Sequence, residues 1–253
     1  MTKPDLDHFA RLLADANRAR ARLEATPDDV AALDADQADA AQLATAALIG
    51  PIGGWKVSQV GDQDGSLGVI FANDMRHSPC AAALGLKEIL IEIEVAFRFG
   101  RDLRPRGDGA SFTREDVEGA VDAVLPVFEL LCPRLPLAPK PSATLARADR
   151  MGNLGLILGA PVADWRAVVS PRLRVEMEID GAPAVALDGG HPSDDPFHPL
   201  VWLANAIARA GRFLRAGDIV TTGAYGGGHA IRAGSRARGR VEGLGALDFS
   251  LLE

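Results

Sequence analysis

Two cysteines, Cys80 and Cys132, are all the thiol chemistry in 253 residues. They cannot form a disulfide framework, and no Cys-x-x-Cys or Cys/His spacing for structural zinc occurs, so a reducing cytoplasm is the expected compartment. Lysine is also scarce: Lys3, Lys56, Lys87 and Lys140 stand against 23 arginines. With abundant Ala and Gly, that skew matches a GC-rich bacterial genome and says nothing about activity. No basic cluster stands out, and 34 acidic residues outnumber 27 basic ones for a net charge of -7. A chain built to cover nucleic-acid phosphates is therefore excluded. No apolar run reaches the ~18 residues of a membrane span, and the first residues lack an apolar signal core, so neither membrane nor export is expected.

Apolar residues make up 47% of the chain and charged residues 24%, and 27 glycines with 16 prolines fall short of low-complexity composition. A globular protein with a sizeable core is expected, as one large domain with a small appendage or as two domains. The first 50 residues read as helical. Phe9, Leu12, Leu13 and Ala16 recur at helical spacing, and a second Ala-rich helix is expected from Asp28 to Leu48, with Thr26-Pro27-Asp28-Asp29 as its start signal. Gly50-Pro51-Ile52-Gly53-Gly54 ends this pattern. Beyond it come short apolar runs separated by Gly, Pro and Asp, the texture of a sheet-rich domain over 51-253.

Within that second part, Glu88 to Phe99 alternates with period two and is the clearest strand. Arg114 to Leu131 is expected as an amphipathic helix capped by Thr113 and closed by Pro133. Arg172 to Ile179 alternates again, with a hairpin turn at Asp180-Gly181 returning through Ala184 to Leu187. Pro199 to Phe213 reads as helix, and Gly217 to Gly223 and Ala237 to Leu252 as closing strands. Strands and helices intermix without a βαβ rhythm, so the fold class is α+β.

In Ile89 to Phe97 the pleat sends Ile89, Ile91, Ile93, Val95 and Phe97 to one face and Glu92 with Glu94 to the other. A half-buried strand with a wet side explains this equally well, because Glu88 and Arg98 share that side. Glu176 and Glu178 alternate in the same way beside Arg172 and Arg174, and read as solvated charge. Glu129 shifts the balance, since it lies in the apolar run Val124 to Cys132. An unpaired buried charge costs several kcal/mol, and two carboxylates about 6 Å apart repel by roughly 3 kcal/mol at an effective dielectric near 20. A divalent cation removes both penalties. Three carboxylates are hard oxygen ligands suited to Mg²⁺ or Mn²⁺, with positions left for water and a chelating substrate. Lys56, at the entry of the sheet domain, is either an exposed strand lysine or a group that stabilises oxyanion charge or moves protons.

Other signals carry less. Gly223 to His229 lacks the ending of a phosphate-binding loop and reads as a hairpin or lid loop. Gly152, Gly155 and Gly159 do not have dinucleotide-binding spacing, and no Gly-x-Ser-x-Gly elbow exists. His191 and His198 flank a polar loop and read as loop and capping residues, with either also placed to line a cleft.

Ile91-Glu92-Ile93-Glu94-Val95-Ala96-Phe97, followed by Arg101-Asp102-Leu103, resembles the E-x-E-x-A-F segment of the fumarylacetoacetate hydrolase superfamily. It is most similar to the branch of 2-keto-4-pentenoate hydratases and 4-oxalocrotonate decarboxylases. Further matching pieces are Lys56-Val57, Gly68 to Ala72, Val124-Leu125-Pro126 with Glu129, Ala148-Asp149, Trp202 to Asn205, Ala216 to Gly223, and Val241 to Gly245. The resemblance runs from about residue 40 to the end. It implies a helical N-terminal segment on a mixed β-roll, with Mg²⁺ or Mn²⁺ held by Glu92, Glu94 and Glu129 and with Lys56 as the catalytic lysine. Asn153 and Thr222 are the substrate-binding residues it implies. It further implies a small-molecule 2-hydroxydienoate or 2-oxo acid as substrate, and a homo-oligomer.

Three departures stand out. Lys56 continues as Val57-Ser58-Gln59-Val60 where the family has Lys-Val/Ile-Gly-Leu-Thr. An acidic residue that hydratases place further on has only Asp62 and Asp64 nearby. Ala148-Asp149-Arg150-Met151-Gly152-Asn153 replaces an Ala-Asp-Asn turn, leaving Arg150 either to meet a second substrate carboxylate or to face solvent. The leading expectation is a metal-dependent hydratase of 2-hydroxyalka-2,4-dienoates. Its rivals are a decarboxylase of 2-oxo dicarboxylates, an acylpyruvate carbon–carbon hydrolase, and a degenerate homologue serving as a structural or ligand-binding subunit.

Overall fold

The computed structural model describes residues 3-61, 64-107 and 109-253. Asp5 opens the first helix, α1 (Leu6–Ala19), by accepting the His8 amide at 2.9 Å. The second helix, α2 (Ala35–Ile49), starts at a reciprocal cap: Asp34 accepts the Gln37 amide at 2.8 Å, and the Gln37 side chain accepts the Asp34 amide at 3.1 Å. The Thr-Pro-Asp-Asp signal therefore does not begin this helix. It makes only a single tight turn at Asp28–Val30, because the cap that satisfies two amides lies at Asp34.

Two sheets follow. The larger is built from β1 (Ile52–Ser58), β2 (Ser66–Phe71), β3 (Met75–His77), β5 (Glu88–Phe99), β6 (Val121–Leu131), β7 (Asn153–Leu158), β10 (Ile219–Thr221) and β11 (Tyr225–Arg232). Its order is β2-β1-β10-β5-β6-β7-β3, with β11 continuing beside β5. The smaller has the order β4-β13-β12-β8-β9, from β4 (Cys80–Ala83), β8 (Arg174–Ile179), β9 (Ala182–Asp188), β12 (Arg236–Val241) and β13 (Gly245–Leu252). The β1/β10, β3/β7 and β4/β13 pairs are parallel and the other pairs antiparallel, so both sheets are mixed. Their inner faces share one core, in which Ile91 and Ile93 of β5 and Phe128 of β6 join Val175, Ala237 and Phe249 of the smaller sheet. This is the expected α+β class. A second cluster joins Phe9 and Leu13 of α1 and Ala38 and Ala41 of α2 to Leu145 and Ala148 of α4 (Ala143–Ala148).

The helix expected over Arg114 to Leu131 is a correction. Thr113 does cap a helix, with Asp116 completing the box, but α3 (Arg114–Glu118) is one turn long, and the rest of the segment is the strand β6. A strand buried on both faces has no polar stripe, so its apolar run carries no period that separates it from a buried helix. Pairing with β5 on one side and β7 on the other decides the outcome. Pro126 is tolerated because the β6/β7 ladder begins one residue later, at Val127. Gly223 to His229 is corrected as well. From Tyr225 onward the chain is strand β11, with an irregularity between Tyr225 and His229. The last helix, α5 (His198–Arg209), is shorter than expected at its C-terminal end. The β8/β9 hairpin is as expected, and Glu176 and Glu178 are ion-paired on it to Arg174 and Arg238.

Candidate active site

Alternation along β5 places Glu92 and Glu94 opposite the core-facing isoleucines, with Glu94 buried and Glu92 half-buried. Antiparallel pairing sets Glu129 of β6 directly across from Glu92. Lys56 reaches the same face through β10, since it lies beside Thr221, which lies beside Ala96 of β5. Space for its stem comes from β2. Gly68 is the partner of Lys56, and a Cβ there would stand 3.1 Å from Lys56 Cγ and 2.9 Å from the Arg150 carbonyl oxygen.

The result is a cluster in which one carboxylate oxygen from each of Glu92, Glu94 and Glu129 lies within 4.8 Å of the others. Lys56 Nζ is 2.7 Å from Glu129 Oε1. Asn153, at the start of β7, donates Nδ2 to that same oxygen at 2.7 Å. Glu129 Oε2 and Asn153 Oδ1 are buried with no hydrogen-bond partner among the described residues. The Gly223 amide donates to Glu94 Oε2 at 2.9 Å. Asn153 is in turn fixed by Arg134, whose Nη1 donates to the Asn153 carbonyl at 2.7 Å while Nε holds Asp149 at 2.6 Å.

The electrostatics follow from this crowding. Burial, then the charges of Glu129 and Glu92, push the Glu94 carboxyl well above the ordinary carboxylate range. Burial and Glu129 raise Glu92, which Lys56 partly offsets. Burial pulls Lys56 down, but attraction by Glu129, Glu92 and Glu94 outweighs it, so the ammonium form is favoured. Three carboxylates against one ammonium leave negative charge uncompensated in a buried place. With Glu129 Oε2 left over, these three carboxylates are a group that could hold a hard cation.

His191 is the residue sequence reasoning missed. Expected in a loop, it is 3% exposed, edge-on to the Tyr225 ring at 5.4 Å. Its Nδ1 accepts the Ser193 amide at 3.2 Å, so in the neutral ring Nε2 carries the hydrogen and faces Thr222 Oγ1 at 3.4 Å. Burial pushes its pKa down to about 4. No local periodicity marks such a residue, because a loop delivers it. His198 remains exposed at the start of α5, with Nε2 3.4 Å from the Gly61 carbonyl. Thr222 is buried beside Gly223.

Arg150 meets neither expectation. It is 1% exposed, its guanidinium lies 4.0 Å from the Phe71 ring centre, and Nη2 donates to Asn17 of α1 at 2.9 Å. It ties the helical segment to the sheet instead of facing substrate or solvent. Asp64 is exposed, and Asp62 lies outside the described residues.

Fold and geometry thus define a two-sheet α+β protein with a buried carboxylate–lysine centre. No protein-family profile matches the chain. It is 30% identical over 192 residues to the TodF product hydratase of Pseudomonas putida F1, covering 75% of this chain and 69% of that one. It is 28% identical over 158 residues to a 2-keto-4-pentenoate hydratase of Paraburkholderia xenovorans, covering 62% of this chain and 56% of the relative. Among solved structures, 4-oxalocrotonate decarboxylase from Pseudomonas putida G7, complexed with calcium and acetate, superposes with a TM-score of 0.84 at 20% identity, covering 98% and 97% of the two chains. The chain belongs to the fumarylacetoacetate hydrolase superfamily, in the branch of 2-keto-4-pentenoate hydratases and 4-oxalocrotonate decarboxylases. Among the described residues no helix is long and apolar enough to cross a membrane.

Proposed function

We propose that this chain is a divalent-metal-dependent hydratase that adds water to a 2-hydroxyalka-2,4-dienoate. The observation that carries the reading is the convergence of Glu92, Glu94 and Glu129 on one point, with Lys56 bound to Glu129 at 2.7 Å. The three carboxylates would hold Mg²⁺ or Mn²⁺, and the orphaned Glu129 Oε2 supports the fit. When bound, the cation supplies Lewis-acid polarisation to the carboxylate and 2-oxygen of the substrate.

The protein's own groups do the rest. Lys56, held as an ammonium, places positive charge beside the substrate 2-oxygen and stabilises the negative charge that develops when the 2-hydroxyl gives up its proton. That proton passes to solvent water and one is returned from water to the far end of the diene, which completes ketonisation; water then adds across the conjugated double bond, its hydroxyl to C4 and its proton to C3. Asn153 fixes Glu129 so that Oε1 stays with Lys56 and Oε2 stays free for the cation. His191, with Nε2 3.4 Å from Thr222 Oγ1, holds that hydroxyl in place for the substrate carboxylate.

Loss of the dienoate ultraviolet band on adding enzyme with Mg²⁺, abolished by EDTA and by Glu94→Gln, is the expected result. Absence of turnover across several dienoates would refute it. Release of CO₂ from 4-oxalocrotonate without hydration would select the decarboxylase instead.

A further inference from the structure

Lys56 reaches Glu129 from β1, across β10 and β5, on a flexible stem. What keeps that stem aimed lies behind it, in β2. This is an edge strand: β1 takes one side, and among the described residues no strand takes the other. Its outward backbone is nevertheless buried, with Leu67 and Val69 only 5% and 0% exposed, and buried backbone groups need partners. Gln42 of α2, itself fully buried, supplies them. Its Nε2 donates to the Leu67 carbonyl at 3.3 Å, and its Oε1 accepts the Val69 amide at 3.0 Å. A side-chain amide offers a donor and an acceptor as a peptide group does, so Gln42 stands in for the absent neighbouring strand. Asp39 fixes this amide, accepting Nε2 at 2.9 Å, and Arg147 holds both Asp39 oxygens at 2.6 Å.

The residue between the two bonds is Gly68, the register partner of Lys56. Its φ is not positive, so the backbone does not call for glycine there. The neighbours do, because a Cβ would press on both Lys56 Cγ and the Arg150 carbonyl. The lysine stem therefore lies against bare backbone on one side, with Arg150 next to it. Arg150 is held in turn by Asn17 of α1 and lies over Phe71 of β2. Both N-terminal helices thus set the surfaces beside the stem. Any tie between α2 and the sheet would serve folding, yet this one falls on the rung that carries Lys56.

We propose that Gln42 is a positioning residue: by pinning β2 on both sides of Gly68 it holds the Lys56 stem so that Nζ meets Glu129. The N-terminal helical segment is then part of the active centre and not an appendage to it. The catalytic consequence rests on the proposed function, in which Lys56 acts on the substrate. The placement itself is a property of the protein without metal or substrate.

The test is a pair of double-mutant cycles read by urea denaturation of the whole, metal-free protein. Gln42→Met keeps the length of the side chain and removes both bonds to β2. The Lys56–Glu129 pair is then already weakened, so Lys56→Met is expected to raise the unfolding equilibrium constant at least about fivefold less in this background than in the wild type. Leu13→Ala destabilises the same helical segment by opening the cluster of α1, α2 and α4, away from β2. In that background Lys56→Met is expected to cost what it costs in the wild type. An equal cost in all three backgrounds overturns the proposal, and so does a reduced cost in Leu13→Ala, which would make the effect one of the whole segment. Should Gln42→Met not fold, Gln42→Glu takes its place with the same expectation, since it keeps the acceptor for Val69 and loses the donor to Leu67. With a dienoate, Gln42→Met is expected to lower kcat about tenfold with KM within about twofold of the wild type, while Leu13→Ala changes neither. An unchanged kcat in Gln42→Met overturns the proposal. A wild type that turns over no dienoate sinks the hydratase reading, and the cycles still decide the placement.

Discussion

Lys56 Nζ and Glu129 Oε1 are 2.7 Å apart, on strands that do not touch each other: β10 and β5 lie between β1 and β6. Both side chains are buried, and Asn153 shares the same Glu129 oxygen. The pair is therefore a product of sheet order, and it orders a charge cluster that would otherwise repel itself.

Removing the lysine tests this directly. Lys56→Met leaves Glu129 with Asn153 alone among carboxylates, and breaking one side of a buried pair costs about 3–5 kcal/mol. Denaturant titration without metal is expected to show that loss. Added Mg²⁺ should raise the melting temperature more in Lys56→Met than in the wild type, since the cation then compensates more negative charge. An equal shift in both proteins contradicts the proposed coupling. Turnover is expected to fall at least a hundredfold.

Asn153→Ala removes the amide that orients Glu129. A partner that orients a metal ligand typically changes affinity about 10–100-fold, and a calorimetric Mn²⁺ titration is expected to show a loss in that range. Affinity within about twofold of the wild type would make Asn153 a bystander.

His191 should stay neutral far below the usual histidine range. Its ring signals in a proton-carbon NMR titration are expected to move near pH 4, the value to which burial pushes it. The unfolded chain protonates this histidine near pH 6.5 while the folded protein does not. His191 therefore contributes stability in full above pH 6.5, and that contribution is lost as the pH falls towards 4, up to about 3 kcal/mol. Glu94, raised in the fold, acts in the opposite sense. Comparing the wild type with His191→Phe isolates the histidine, and the variant's urea midpoint should fall less between pH 7 and pH 4. A ring titrating near pH 6.5 would refute the buried, neutral assignment.

His191 should also act on binding more than on chemistry, because it reaches the substrate only through Thr222. His191→Phe and Thr222→Val are each expected to raise KM several-fold, and the double variant no further than the larger single effect. Additive losses would separate the two residues.

How far the sequence carries depends on whether a signal is local. The β5 alternation is local, one wet side and one dry, and it placed Glu92 and Glu94 correctly on one face. The cap at Thr113 is local too, whereas Thr26-Pro27-Asp28-Asp29 does not start α2, which begins at the Asp34–Gln37 box. Glu129 shows the limit: its burial was legible from Val124 to Cys132, but its strand was not, because a segment buried on both faces has no period. Its position opposite Glu92 depends on β5/β6 register, and its contact with Lys56 on two intervening strands. His191 and Arg150 went unread for the same reason. One is brought in by a loop, and the other turns towards α1, more than a hundred residues away in sequence.

Glu92, Glu94 and Glu129 are proposed to hold one divalent cation between them. Anomalous diffraction from crystals soaked with Mn²⁺ and pyruvate tests it most directly. One strong manganese peak bounded by carboxylate oxygens from all three glutamates is expected, with Lys56 next to the pyruvate oxygen. A manganese peak elsewhere, or none while Lys56 stays on Glu129 and the carboxylates face only solvent, would contradict it.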